Sequence, residues 1–579
     1  MSVITGEEYP IKYIFNDKFE YYIPFYQRPY AWKEENAEAL FNDLYEFYQE
    51  KSADDFFLGS IVLMKNSKSD SYAEVTDGQQ RLITLTILLS AISAYLKSYN
   101  KEYCYNFIWR GYDPSKNPPD PSPRLHIRPK DQNFFEDNIQ KKLVDDTKLT
   151  TLKKFANDFS VIENESCSNI RANCRVFLNK IEENFNDGTG KVDVNELLKF
   201  LNFVLEHCYI VVVITFAKET AFRVFKVLNT RGLDLSSADI IKSDILGRID
   251  GELKQTNYSD KWENLEINAT RQGFNEVFSH LRMVYVQKKL HGTLTEEFSN
   301  LVMPKIPSAE FFIDEILTPY TKSYVEIKNR NYSNTKNKSK VDEINYILMW
   351  LNKVDNFDWV APTLKFFVER HNDVDYLLWF IKKMERLTAH MFLDSVNVNK
   401  RIERYAKIIA EMEKNPAHNL SEPLKTIELT EEEKSKFINR LDGEIYRLTA
   451  RRRNYVILRL DSFITIDDKP NYNPRTLSIE HVLPQTVESD SEWANLWNEE
   501  ERKFWTQRIA NLVPLTRRKN SEAQNFDFAK KKNVYFKGKT GAFIYALTSQ
   551  VLSEEVWTPT VVNARQKKLL DIFKQNWEL

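Results

Sequence analysis

The sequence predicts mixed α and β structure at both ends of the chain, joined by a helical middle. Three observations predict it. Strand-like runs fall near the two ends: FLGSIVL at 57–63, YAEVT at 72–76 and YIVVVITF at 209–216, then TLSIEHVL at 476–483 and IANLVPL at 509–515. Between about 251 and 420 the apolar positions keep helical spacing nearly throughout, with aromatic-rich stripes such as 346–351 and 376–381. The composition is 42% hydrophobic and 13% aromatic with only 14 glycines, which belongs to a globular, helix-leaning chain and excludes a disordered or fibrous one.

In chain order, the first clear helix is 79–95, where Leu82, Leu85, Leu89 and Ile92 share one face expected to meet the core. The stretch DPSKNPPDPSP at 113–123 reads as a turn-rich loop that no helix or strand crosses. In 221–246 a helix is expected to end near Asn229, Arg231 and Gly232 to turn the chain, and Ser236 with Asp239 to start the next helix. That hairpin closes the N-terminal part and sets Asn229, Arg231 and Lys242 where they can reach a ligand. In the middle region KNRNYSNTKNKSK (328–340) is an exposed loop, and no internal repeat is found. A chain of 579 residues exceeds one ordinary core. The expected division is 1–250, 251–420 and 421–579, with the middle part spacing or coupling the ends.

The start MSVITGEEYPIKYIF lacks a signal pattern, and no apolar run approaches a membrane span. The four cysteines form no CxxC pair, so neither a zinc ribbon nor a disulfide framework is expected. Cytoplasmic residence without a membrane partner follows as the expectation. Net charge is −2, but residues 501–579 carry 15 Lys/Arg against 7 Asp/Glu. Arg517, Arg518 and Lys519 and the run Lys530, Lys531, Lys532 supply much of that excess. A basic end on an acidic body fits local phosphate contact; a solvated lysine-rich helix face is the other reading.

His481 is one of only eight histidines and lies in SIEHVLP, directly after Glu480 and three residues before Pro484. Phosphodiester hydrolysis needs a base for water and positive charge on the phosphate, and an adjacent Glu and His at a strand end can divide that labour. Asn511 follows, then Asn520 after eight residues, where a short helix can begin. This set resembles the HNH nucleases, whose ββα-metal finger carries a first-strand His, a second-strand Asn and a helix-borne third ligand. Two departures stand out. Asn520 occupies the position where many members have His, retaining an oxygen donor suited to Mg²⁺. The stretch 491–508 reads as an inserted helix. The resemblance implies that His481 is the general base, that Glu480 and Asn520 hold one divalent cation, and that Asn511 orients the His-bearing loop. Lys531, on the run 528–535, is placed to contact phosphate.

Two further motifs lie near the N-terminus: Ile23-Pro24-Phe25-Tyr26-Gln27-Arg28-Pro29-Tyr30-Ala31-Trp32 and Asp77-Gly78-Gln79-Gln80-Arg81-Leu82. The second is a strand, a glycine turn and a helix start, whose free amides favour an anion while Arg81 offers a forked donor. Asp77 there is either a cap or a ligand to metal or ribose. With 57–62 (FLGSIV) and 221–246, these motifs resemble the GmrSD-type family. The resemblance extends over most of the chain: an N-terminal ParB/sulfiredoxin-like α+β domain named for DGQQR, a helical middle, and a C-terminal HNH-like finger within a helical domain, with a His-x-x-Pro signature. It implies nucleoside triphosphate binding and hydrolysis involving Gln27, Arg28, Asp77, Gly78, Gln79, Gln80 and Arg81. It also implies restriction of modified or phage double-stranded DNA, and Tyr26-Gln27-Arg28 matches a segment that in some relatives is tied to sensing a modification. No GxxxxGK[ST] loop occurs, so the phosphate cradle differs from that of P-loop enzymes. The leading expectation is a Mg²⁺-dependent endonuclease or nickase under nucleotide control, and an oligomer is compatible with it. The alternatives are a finger that grips nucleic acid without cutting, and a regulator that docks a protein through the aromatic stripes of its middle region.

Overall fold

A computed structural model describes residues 4–25, 27–50, 54–96, 98–111, 121–141, 147–162, 164–216, 237–335, 337–465, 472, 477–516, 525–536 and 545–579. The chain is mixed α/β and divides into two compact units, 1–263 and 264–579.

The first unit is built on a six-stranded sheet. Its strands are β1 (Ile4–Pro10), β2 (Glu20–Tyr22), β3 (Phe56–Met64), β4 (Tyr72–Asp77), β7 (Leu125–His126) and β8 (Cys208–Thr215), in the order β1-β8-β3-β4-β2-β7. The β-branched run of β8 is buried along most of its length between antiparallel β1 and parallel β3, as a central strand requires. The 113–123 stretch does contribute some strand: Ser122–Pro123 (β6) pairs with Trp109–Arg110 (β5), because proline is tolerated in a short edge ladder. Residues 112–120 lie outside the described set.

The helix Gln79–Tyr95 differs most from expectation. It buries every residue from Leu82 to Ala94 rather than one face, against the helices Ser98–Tyr105, Thr147–Ala156, Glu165–Asn184 and Val194–His207. Its hydroxyls disguise that role in the sequence. Thr84 and Thr86 return their O–H to the carbonyls of Gln80 (2.7 Å) and Leu82 (2.8 Å), and Ser90 donates to the Ile139 carbonyl (2.6 Å). A satisfied hydroxyl is buried at little cost, so polar letters need not mark a wet face.

The second unit is largely helical: Arg271–Val286, Thr318–Asn329, Lys338–Leu351, Val360–Arg370, Val374–Leu393 and Val398–Lys414 precede the hairpin-bearing segment. In the aromatic stripes Trp350, Tyr376 and Phe380 are wholly buried and belong to the core. The loop between Asn329 and Lys338 is pinned by buried Tyr332, whose hydroxyl donates to the His371 carbonyl (2.7 Å). Further on, β9 (Leu477–His481) pairs antiparallel with β10 (Leu512–Thr516), His481 opposite Leu512 and Glu480 opposite Val513. Ile509–Asn511 forms a 3₁₀ turn rather than strand. The inserted segment makes two short helices, Glu492–Leu496 and Glu499–Trp505, instead of one. They part at Trp497, which is buried with its indole N–H on the Trp557 carbonyl (2.8 Å), and Asn498 then opens the second helix with a capping box to Glu501. Among the described residues no helix is long and apolar enough to cross a membrane.

Candidate active site

The hairpin ends where its chemistry begins. Directly after His481, the turn through Val482, Leu483 and Pro484 is held by Asn511, whose side chain is fully buried. Its Oδ1 accepts from the Leu483 N–H (2.7 Å) and the Trp557 indole (3.2 Å); its Nδ2 donates to the carbonyls of Leu483 (2.9 Å) and Thr506 (3.1 Å). All four hydrogen-bonding positions of the amide are therefore filled, which fixes the turn against the 3₁₀ start of β10. Arg565 and Gln566 of the helix Pro559–Trp577 grip the same turn through the Ala510 carbonyl (3.1 Å) and N–H (3.0 Å).

Successive strand side chains leave on opposite faces, so Glu480 and His481 have separate surroundings. The Glu480 carboxylate meets the Lys531 ammonium at 2.8 Å, and the same ammonium donates to the His481 carbonyl at 2.8 Å. Lys531 is wholly buried, tied to the strand end rather than open to solvent. Burial raises the Glu480 pKa and lowers that of Lys531, and on each group it outweighs the attraction of the other. The imidazole of His481 is buried too, but not in an apolar pocket. Its Nε2 faces Gln507 Oε1 (3.4 Å), and the Tyr446 ring lies 4.0 Å from it, centroid to centroid. Burial draws its pKa down to about 4; Lys531 and Arg453 push the same way and Gln507 opposes them. At neutral pH the ring is uncharged and free to accept a proton. With Nε2–H donating to Gln507, the accepting lone pair is on Nδ1.

In the first unit the two N-terminal motifs are laced together. Gln80 Oε1 accepts from the N–H groups of Ala31 (2.7 Å) and Trp32 (3.1 Å), and its Nε2 donates to the Pro29 carbonyl (3.2 Å). Gln79 donates to Gln27 Oε1 (3.2 Å), and Gln27 in turn donates to the Thr76 carbonyl (3.0 Å). All three glutamines are buried and spent on this lacing. Gly78, at φ 92°, turns the chain from β4 into the helix; a Cβ there would stand 2.4 Å from the Ile61 side chain. Gly59, at the bulge of β3, admits the Arg81 guanidinium, which donates to the Ser60 carbonyl (2.7 Å). Burial raises the Asp77 pKa, against the Gly78 N–H and the nearby cations Arg81 and Arg28. Half-buried Asp77, Arg81 and Arg28 thus gather their charges at the N-terminus of a long helix. Arg128, paired with Asp131 (2.7 Å) and with Glu263, steadies the Gln27 carbonyl from behind (3.4 Å). Lys242, expected near a ligand, is buried in that network against Glu263 (3.3 Å). Asn229, Arg231 and Tyr26 lie outside the described residues.

Residues 11–246 match the family model described as the GmrSD restriction endonuclease N-terminal domain, and residues 431–572 match that of the C-terminal domain. The chain belongs to the GmrSD restriction endonuclease family. No curated protein matches it. Both halves of a GmrSD endonuclease are therefore present, and DNA hydrolysis in restriction is the activity the family carries. The C-terminal match contains Glu480, His481, Asn511, Asn520 and Lys531; the N-terminal match contains both of the laced motifs.

Among the described residues no group of three or more His, Cys, Asp or Glu side chains is arranged to hold a metal ion. Glu480 offers one carboxylate beside His481, and Asn520, the expected third partner, lies outside the described residues. The carboxylate of Glu480 and the amide oxygen of Asn520 are donors of the kind that a hard divalent cation takes. Sequence reasoning missed Tyr446 and Gln507. Neither has a spacing that ties it to His481.

Proposed function

We propose that the protein is a divalent-cation-dependent DNA endonuclease of the HNH type, controlled by nucleoside triphosphate bound and hydrolysed at the DGQQR cradle, and acting on modified or phage DNA. One observation carries the reading. A neutral histidine stands at the end of a two-stranded hairpin, next to a carboxylate, in a turn locked by Asn511. His481 takes a proton from water at Nδ1, the new oxygen–phosphorus bond forms, and the bond to the leaving sugar oxygen breaks. Glu480 with Asn520 would hold the cation, which when bound supplies positive charge to the scissile phosphate. Lys531 balances the Glu480 charge and braces the strand end, so its part at the phosphate would follow release of the carboxylate.

In the cradle, Gln27, Gln79 and Gln80 act as frame, and Asp77, the Gly78 turn, Arg28 and Arg81 are assigned to the triphosphate. The functional division 1–250, 251–420 and 421–579 is laid over the two compact units. The test is cleavage of modified and unmodified phage DNA with Mg²⁺, with and without each triphosphate. Cutting that changes with triphosphate, and triphosphate turnover lost in Arg81→Ala, support the proposal; normal turnover in that variant overturns the cradle. A finger that grips without cutting is favoured by one observation, that Glu480 already carries Lys531 as its counter-ion. Binding of DNA without Mg²⁺-dependent cleavage would establish that reading instead.

A further inference from the structure

The loop 442–449 lies on the candidate site as a strap. Its Tyr446 N–H donates to the Gln507 carbonyl (3.0 Å), Arg508 holds the Asp442 carbonyl, and Gln566 donates to Asp442 Oδ1 (2.8 Å). The strap delivers the Tyr446 ring to His481 (4.0 Å between centroids, 57° between planes). On the tyrosine sits Arg453, its guanidinium carbon 4.0 Å from the ring centroid and its Nη1 on the Tyr446 carbonyl (3.0 Å). Gln507 then takes Nε2 of the imidazole, and its own amide is steadied by Gln485 (3.4 Å). An imidazole on a strand end has two soft torsions and two tautomers. A packed aromatic ring restricts the torsions, and a lone acceptor on Nε2 selects the tautomer.

We infer that Tyr446 and Gln507 are positioning residues for His481: the ring fixes the orientation of the imidazole, and the amide oxygen keeps the proton on Nε2 and the lone pair on Nδ1. This rests on the reading of His481 as the base. Neither residue need touch DNA, so their loss slows the chemical step and leaves DNA affinity alone. The full-length protein is assayed under single turnover with Mg²⁺ on a cleavable duplex. Tyr446→Leu and Gln507→Leu each lower the cleavage rate on the order of 10–100-fold, with half-saturating DNA concentration unchanged. Tyr446→Phe, which keeps the ring, and Gln507→Glu, which keeps an oxygen acceptor, recover most of it. ¹⁵N-histidine NMR supplies a second readout independent of cutting: the His481 resonances report the Nε2–H tautomer in the parent and a mixture in Gln507→Leu. Full rate in both leucine variants, rate loss matched by weaker DNA binding, or an unaltered tautomer in Gln507→Leu overturns the inference. If Tyr446→Leu fails to fold, Tyr446→Phe and the tautomer measurement decide. Cleavage that survives in His481→Ala would instead defeat the reading of His481 as the base, while the tautomer result would still stand on its own.

Discussion

The buried pair of Lys531 and Glu480 makes the sharpest energetic prediction. Replacing Lys531 with methionine keeps the volume of the stem but leaves the Glu480 carboxylate, 8% exposed, with no counter-ion at 2.8 Å. It also strips the His481 carbonyl of a donor. Removing one partner of a buried pair costs ~3–5 kcal/mol, because the other charge stays desolvated. The cost falls on the hairpin, since Glu480 is paired with Val513 across it. Urea unfolding gives the total, and amide hydrogen exchange at β9 and β10 gives the local share, accelerated roughly 10²–10⁴-fold at ~1.4 kcal/mol per decade. Adding Glu480→Gln removes the orphaned charge, so the double variant regains most of the loss and the coupling energy exceeds ~2 kcal/mol. A single-variant cost under ~1 kcal/mol, or additive losses in the double variant, refutes the claim that this pair braces the strand end.

Three other substitutions follow from the same geometry. Gly78→Ala sets a Cβ against the Ile61 side chain at 2.4 Å and its Cα at 3.2 Å on a backbone at φ 92°, so the first unit loses at least ~1 kcal/mol in urea unfolding. Trimming Ile61 to alanine does not rescue it, because the Ile61 Cβ would remain 2.9 Å away. Gln80→Leu strands the N–H groups of Ala31 and Trp32, at ~1–3 kcal/mol for each group left unsatisfied, and those two amides lose exchange protection first. Asp461→Asn tests a buried acid whose pKa burial raises from 3.8 to about 6. A raised acid pKa gives stability that is whole below pH 3.8 and lost as pH rises through 6, so the asparagine variant's stability relative to the parent rises by ~3 kcal/mol between pH 3 and pH 8. About half of that rise is complete by pH 5 in paired urea titrations; a pH-independent difference contradicts the assignment.

Much of the fold was legible from periodicity. The limits of β3, β4 and β8 and of the helix 79–95 follow from β-branched runs and from a glycine turn, which are local signals. The burial of that helix on all sides was not legible, because Thr84, Thr86 and Ser90 hide their hydroxyls in backbone hydrogen bonds that a sequence cannot display. At the C-terminal site Glu480, His481 and Asn511 stood out through a short motif and a spacing. Tyr446 and Gln507 reach His481 only through the tertiary docking of the strap, and nothing local marks them. At DGQQR the sequence marked the strand, glycine turn and helix start, but not the packing within it. Gln79 and Gln80 look like ligand groups in sequence, and their burial against Gln27 and residues 29–32 is a packing fact. Lys242 misled in the same way, its charge being met by Glu263 from a helix beginning ten residues further on.

The account stands or falls on the imidazole at the end of β9. Mg²⁺-dependent cleavage of duplex DNA by the full-length protein, compared with His481→Ala of matched circular dichroism and unfolding midpoint, measures that directly. Loss of cutting with DNA binding retained is the predicted result. Undiminished cutting by the alanine variant would contradict it.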